Sequence, residues 1–266
     1  LDHTPGSAGT LTYRYAFSGA PSVINGYLDN PFGVAFSPDS QYVYVTNYSG
    51  NSISIFKYYN NDLFQNLYLH TGVVSATTMT THTLQNPAGI VVSPDGKNVY
   101  VAVHTGTPSA GTLAAYQRNQ VTGALTPIQT RYEGDCQDAR GLCLPVSGLA
   151  STYQLAISPD GNNVYVTSWY DSAVANFRRD PATGRLHWNG TLKNSSIGGS
   201  GLTNAYGIAV SPDNQHVYVG SYSDDALVMF NRNKATGYLS LGQIYERDAA
   251  SGTPKLNGLM QVAVSS

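Results

Sequence analysis

A short apolar run that ends in Ser-Pro-Asp occurs four times in this chain, and that recurrence limits its fold more than any other feature. The copies read Gly33-Val34-Ala35-Phe36-Ser37-Pro38-Asp39, Gly89-Ile90-Val91-Val92-Ser93-Pro94-Asp95, Gln154-Leu155-Ala156-Ile157-Ser158-Pro159-Asp160 and Gly207-Ile208-Ala209-Val210-Ser211-Pro212-Asp213. A shortened fifth copy, Gln261-Val262-Ala263-Val264-Ser265, stands near the end of the sequence. The marker serines lie 53 to 56 residues apart, except for one interval of 65 that holds both cysteines. A steady period of this length is the signature of a repeat architecture.

Each unit parses as four strands. The apolar run is the first, short and buried on both faces. Ser-Pro-Asp then turns the chain, because Pro sets φ and Asp accepts turn geometry. Second strands alternate β-branched and aromatic residues: Tyr42-Val43-Tyr44-Val45-Thr46, Val99-Tyr100-Val101, Val164-Tyr165-Val166-Thr167 and Val217-Tyr218-Val219. Third strands fall at 52–56, 112–116, 173–177 and 226–230. Polar hairpins at Asp180–Gly184 and Asn233–Gly237 lead to fourth strands that start at Leu186 and Leu239. The repeated acids Asp39, Asp95, Asp160 and Asp213 read as a structural turn. Tyr44, Tyr100, Tyr165 and Tyr218 read as packing between units.

A four-stranded meander cannot bury both its faces alone, whereas radial repetition covers each sheet with the next. The expected fold is therefore all-β: a five-bladed β-propeller of four-stranded antiparallel blades, with residues 1–266 forming one domain. His3–Leu11 resembles His104–Leu113. The last blade is thus expected to be shared by N- and C-terminal strands. Its second strand is missing, which favours a natural chain longer than this one. An open solenoid is the alternative, but it needs polar caps that the sequence does not display.

Charged residues make up only 11%, while Tyr (20) and Gly (27) are abundant and the net charge is −2. That balance suits a secreted, extracellular all-β protein. It carries no basic stripe for nucleic acid and no apolar run long enough for a membrane-spanning helix. The first residue is Leu1, which fits either a removed signal peptide or a fragment. Cys136 and Cys143 read as a disulfide closing one long loop, with a metal or redox pair as the alternative. Sequons at Asn47, Asn189 and Asn194 would make the chain a glycoprotein.

Ile157-Ser-Pro-Asp-Gly-Asn-Asn-Val-Tyr-Val-Thr167, followed by Arg179-Asp-Pro-Ala-Thr-Gly-Arg-Leu186, resembles the YVTN-type repeat of the lactonase-like propeller superfamily. The resemblance covers nearly the whole chain. It implies the propeller fold and leaves function open, since the superfamily holds sugar-lactone hydrolases, surface proteins and members of no known activity. Its familiar enzymes have seven blades, so five blades here would narrow the central channel.

Ligands are expected where the loops approaching each first strand meet the loops joining second strands to third. The approach loops bring Asn30, Phe32, Asn86, Ala88, Thr152, Tyr153, Asn204, Tyr206, Asn257 and Met260. The second-to-third loops bring Asn47, Tyr48, Asn51, His104, Thr105, Trp169, Tyr170, Asp171, Tyr222, Asp224 and Asp225. Aromatic faces stack on C–H patches while amides and carboxylates fix hydroxyls, which suits a sugar. Asn, Asp and Ser also populate turns regardless of function. Asp224, Asp225 and Asp171 could form a carboxylate ring for Ca²⁺ or act as a base; no other cofactor is implied. No Gly-x-Ser-x-Gly elbow is present. The residues favour a lectin-like binding protein for a carbohydrate or other small polar ligand. A lactone hydrolase with a central carboxylate or metal is the first alternative, and a protein-binding scaffold the second.

Overall fold

The protein is described here by a computed structural model covering residues 28–57, 72–75, 84–105, 111–136, 145–246 and 258–265. Sixteen strands form four antiparallel sheets, each a plain meander in chain order. The first sheet holds β1 (Pro31–Phe36), β2 (Tyr42–Asn47), β3 (Ser52–Lys57) and β4 (Gly72–Ser75). The second holds β5 (Pro87–Val92), β6 (Asn98–His104), β7 (Gly111–Arg118) and β8 (Leu125–Tyr132). The third holds β9 (Thr152–Ile157), β10 (Asn163–Ser168), β11 (Ala173–Arg179) and β12 (Leu186–Lys193). The fourth holds β13 (Ala205–Val210), β14 (His216–Ser221), β15 (Ala226–Arg232) and β16 (Leu239–Tyr245). The strands read from the four full copies of the repeat are those observed, whereas the shortened fifth copy at 261–265 forms no strand.

The turns recur because their chemistry recurs. Each Ser-Pro-Asp serine accepts and donates across its own turn: Ser93 Oγ donates to Asp95 at 2.6 Å and accepts from the Asn98 amide at 2.9 Å. The three described third-to-fourth hairpins end in a left-handed glycine: Gly123, Gly184 and Gly237 have φ of 72°, 72° and 76°. No other residue fits there. A Cβ on Gly184 would fall 2.1 Å from Asn98 of the neighbouring sheet, and one on Gly237 2.0 Å from Asn163.

The blades stack through their innermost strands, β1 on β5, β5 on β9 and β9 on β13. Three apolar cores fill the three boundaries. Tyr44, Ile55 and Val101 belong to the first, Tyr100, Leu155 and Phe177 to the second, and Tyr165, Ile208 and Phe230 to the third. Second strands are therefore buried on both faces; every residue of β10 is buried.

A polar clamp recurs at one end of each boundary. Arg179 ends β11, and its Nε donates to the Tyr100 hydroxyl at 2.9 Å. Its Nη2 donates to Asp95 at 2.7 Å and to the Asn98 side chain at 2.6 Å, and its Nη1 to the Gly161 carbonyl at 3.2 Å. Tyr100 in turn donates to the Gly184 carbonyl at 2.9 Å. Arg118 repeats the pattern on Tyr44 and Asp39, and Arg232 repeats it on Tyr165 and Asp160. The Ser-Pro-Asp acids and second-strand tyrosines are thus structural, as expected. In each clamp acid, partial burial pushes the carboxyl pKa up, but hydrogen bonds from the turn serine and the arginine outweigh it and hold the group below the usual value. Burial also pushes Tyr44, Tyr100 and Tyr165 up to about 12, so their hydroxyls stay protonated donors.

The expected count of five blades is not supported: the described residues form four sheets. Residues 258–265 lie beside β13, where a Cβ on Gly207 would meet the Met260 carbonyl at 2.9 Å, and among the described residues they pair in no sheet. They stand against β13 as β13 stands against β9, and the remaining strands of such a unit are not among the described residues. The matching N-terminal segment with His3 lies outside the described residues, so a shared last blade is not formed among them. Asp213 and Tyr218, the fourth clamp pair, meet no arginine among the described residues. Cys143 also lies outside them; no free cysteine stands within them. Among the described residues no helix is long and apolar enough to cross a membrane.

Two outcomes follow for stability. Arg179→Met strands the Asp95 carboxylate and unties Tyr100 and Asn98, and should cost about 3 kcal/mol in urea denaturation, the range for breaking a buried pair. Asp213→Asn should leave the urea midpoint nearly unchanged. Because the clamp acids have lowered pKa values when folded, their contribution is complete above the ordinary carboxylate value of about 4 and is lost as pH falls through the lowered values. Melting temperature should hold from neutrality to that point and then drop, less steeply in Asp95→Asn.

Candidate functional site

The end opposite the clamps is built by two repeated loops. Each approach loop ends in a left-handed residue: Asn30, Asn86, Ser151, Asn204 and Gly258, with φ between 49° and 61°. Asn tolerates that region because its short polar side chain bonds locally. The first strand then bulges: its register to the second strand shifts between Pro31 and Val34, Pro87 and Ile90, and Ala205 and Ile208. The shift between Val166 and Ser168 marks the same place on the partner of β9. Bulges re-aim side chains, and here the residue two after the left-handed one takes the central place. Those residues are Phe32, Ala88, Tyr153 and Tyr206.

A second ring lies just outside. The amides of Tyr48, His104, Trp169 and Tyr222 donate to the carbonyls of Asn30, Asn86, Ser151 and Asn204, at 2.9, 3.1, 3.0 and 3.2 Å. These four are therefore one repeat position. The two rings interlock into an aromatic floor. His104 stacks on Tyr153 at 4.4 Å and on Tyr48 at 5.9 Å between centroids. Tyr153 stacks on Tyr206 at 4.7 Å. Trp169 stands edge-on to both tyrosines and lies 5.3 Å from Tyr222. Phe32 lies 5.7 Å from Tyr48 and 6.5 Å from Tyr206, bridging the first and fourth blades.

Seven of the residues expected at the site are thus brought together: Phe32, Tyr48, His104, Tyr153, Trp169, Tyr206 and Tyr222. Tyr170 is exposed. Asn47 is buried, its amide donating to Ser52 at 3.0 Å and Ser54 at 2.8 Å. The other sequon amides are also engaged, Asn189 with the Thr236 carbonyl and Asn194 with Thr203.

The acids act as fasteners. Asp171 accepts from the Ala150 amide at 3.1 Å. Asp224 accepts from Gly201 at 2.6 Å and Thr203 at 2.7 Å. Asp225 reaches the next unit and accepts from Gly258 at 2.7 Å. The carboxylates are spent on separate loops, and no cluster of three or more metal-ligating acids, histidines or cysteines forms among the described residues. That corrects the expectation of a carboxylate ring for Ca²⁺.

His104 is the polar exception in the floor. Its Nδ1 lies 2.5 Å from Ser151 Oγ and its Nε2 3.4 Å from the Tyr153 hydroxyl. Burial pushes its pKa below the usual imidazole value, so it is neutral at physiological pH. Burial raises Tyr48 and Tyr153 and pushes Tyr206 up to about 12, so their hydroxyls remain donors. Sequence reasoning missed Ser151 and Glu133. Ser151 stands where three other described units, with Asn30, Asn86 and Asn204, have asparagine before the bulge, a departure visible once the units are aligned. Glu133, whose carboxylate accepts from Leu149 at 2.7 Å, lies before the cysteine loop and has no repeat signal.

No curated protein sequence matches the chain. Three solved structures share its fold. A 6-phosphogluconolactonase-like protein of Bacteroides uniformis has 20% identity over 82% of this chain and 55% of its own, with a TM-score of 0.63. One of Bacteroides fragilis has 20% identity over the same shares and a TM-score of 0.60. The periplasmic gluconolactonase of Pseudomonas aeruginosa has 23% identity over 81% and 54%, with a TM-score of 0.59. The chain spans about half the length of these structures. The repeat and its blades are matched in sequence by the family model described as lactonase, 7-bladed beta-propeller, over residues 30–136 and 154–252, and the chain belongs to that family.

Proposed function

We propose that this chain forms part of a lactone hydrolase whose substrate rests on the aromatic floor. The observation that carries the reading is the break in the repeat at the second blade. Three blades place Tyr48, Trp169 or Tyr222 in the outer ring. The second places His104 there, and it alone has the small Ala88 in the inner ring. A repeat built for packing has no need of that exchange; a proton carrier set among the aromatic rings does. The similar structures, two 6-phosphogluconolactonase-like proteins and a gluconolactonase, agree in reaction class by name.

The chemistry is hydrolysis of a cyclic ester. The C–H face of the lactone ring stacks on Tyr153 and Tyr206. Held by Ser151 as the Nδ1–H tautomer, His104 leaves Nε2 as the proton acceptor. It takes a proton from water as the water oxygen bonds to the carbonyl carbon. A protonated Tyr hydroxyl donates to the oxygen on which charge develops. The ring C–O bond then breaks, and the imidazolium returns its proton to the leaving ring oxygen. Lactone and water become the open hydroxy acid.

His104→Gln should lower kcat for a simple sugar lactone by about 100-fold, the scale of a lost general base, with the fold retained by circular dichroism. Because burial depresses the pKa of His104, the neutral base persists as pH falls. The acidic limb of kcat/KM should therefore lie below about 6.5, the ordinary histidine value. Full activity of His104→Gln, or ligand binding without turnover, would leave a carbohydrate-binding protein instead.

A further inference from the structure

Resting on the reading of the floor as a lactone site, we infer that the lactone it accepts is uncharged: an unphosphorylated sugar lactone, with phosphorylated lactones excluded by charge. Proteins hold phosphate with unoccupied backbone amides, often at turns, and with arginine or lysine. Among the described residues of this face, six loop amides that could contribute to a phosphate cradle are taken by the chain's own side-chain acceptors. Asp224 holds the amides of Gly201 and Thr203, Asp171 that of Ala150, and Glu133 that of Leu149. Asp225 holds that of Gly258 and Asn51 that of Asn86. Four of these five acceptors are carboxylates, so the positions an incoming anion would need carry resident anions.

Among the described residues, the arginines tied into ion pairs are held away from the floor. Arg118, Arg179 and Arg232 close the clamps at the far end of the strands. Arg131 is buried against Asp135 and the Leu186 carbonyl. Among the described residues, Lys193 is the one lysine that ends a strand at this face, and Asp171 holds it at 3.4 Å. A phosphate dianion would thus meet the field of several carboxylates with no free counter-charge, whereas a neutral lactone meets only aromatic C–H and hydroxyl surface. The same field favours departure of the product, since opening the ring creates a carboxylate.

The test compares kcat/KM for glucono-δ-lactone and for its 6-phosphate, at low and at high salt. We expect the neutral lactone to be favoured by at least about 10-fold at low salt, with the gap narrowing as salt screens the field. Asp171→Asn, which removes one carboxylate and releases Lys193, should shift the ratio several-fold toward the phosphorylated lactone, and adding Lys193→Gln should undo part of that shift. Equal or better turnover of the phosphorylated lactone overturns the inference while leaving the lactonase reading intact. A preference that neither salt nor Asp171→Asn moves also overturns it, since its cause would then be steric. Turnover of neither lactone, with no binding of either, removes the lactonase reading and the inference together.

Discussion

An arginine whose side chain is almost wholly buried at each blade boundary ties the architecture together. Arg118, Arg179 and Arg232 have side-chain exposures of 0, 2 and 0%. A guanidinium so placed must be neutralised and saturated with acceptors, or it costs several kcal/mol. The acceptors come from two blades: the acid, the tyrosine hydroxyl and, at the last two boundaries, an asparagine oxygen from the preceding blade, and a turn carbonyl from its own. Neither blade is complete alone. The apolar cores supply the bulk of the attraction between sheets, but they are non-directional. The clamp sets the angle and register at which one sheet meets the next.

Once that end of each boundary is set, the opposite end follows. Left-handed residues and bulges repeat at the same height in every blade, so their aromatic neighbours converge on one face. The repeat is also what makes the exception informative. His104 and Ala88 occupy positions that the other described blades give to larger rings, and the pair opens a place for a proton-accepting group inside an otherwise apolar floor. Symmetry builds the platform, and in the proposed lactonase reading one departure from it supplies the chemistry.

Carboxylates on this face carry two consequences from one arrangement. Each satisfies a backbone amide that would otherwise be unpaired in a partly buried loop, and together they make the rim acidic. Fastening by neutral asparagine, as Asn51 does for Asn86, would have tied the loops equally well without the charge. The choice of Asp in three of these positions therefore bears on which ligands can approach.

The amino-acid sequence by itself determined the strands, their order within each blade, the structural role of Ser-Pro-Asp and the loops that would share a face. All of these rest on local signals: period-two alternation, turn residues and a repeat that aligns one unit with the next. Tertiary structure alone decided that the described residues form four sheets and not five. It also decided that Asn47 faces inward, that Asp171, Asp224 and Asp225 are spent on amides, and that Ser151 orients His104. The reason is separation along the chain. His104 and Ser151 are 47 residues apart, and Arg118 and Asp39 are 79 apart. A contact of that span depends on how one whole sheet is set against another, which no local pattern records.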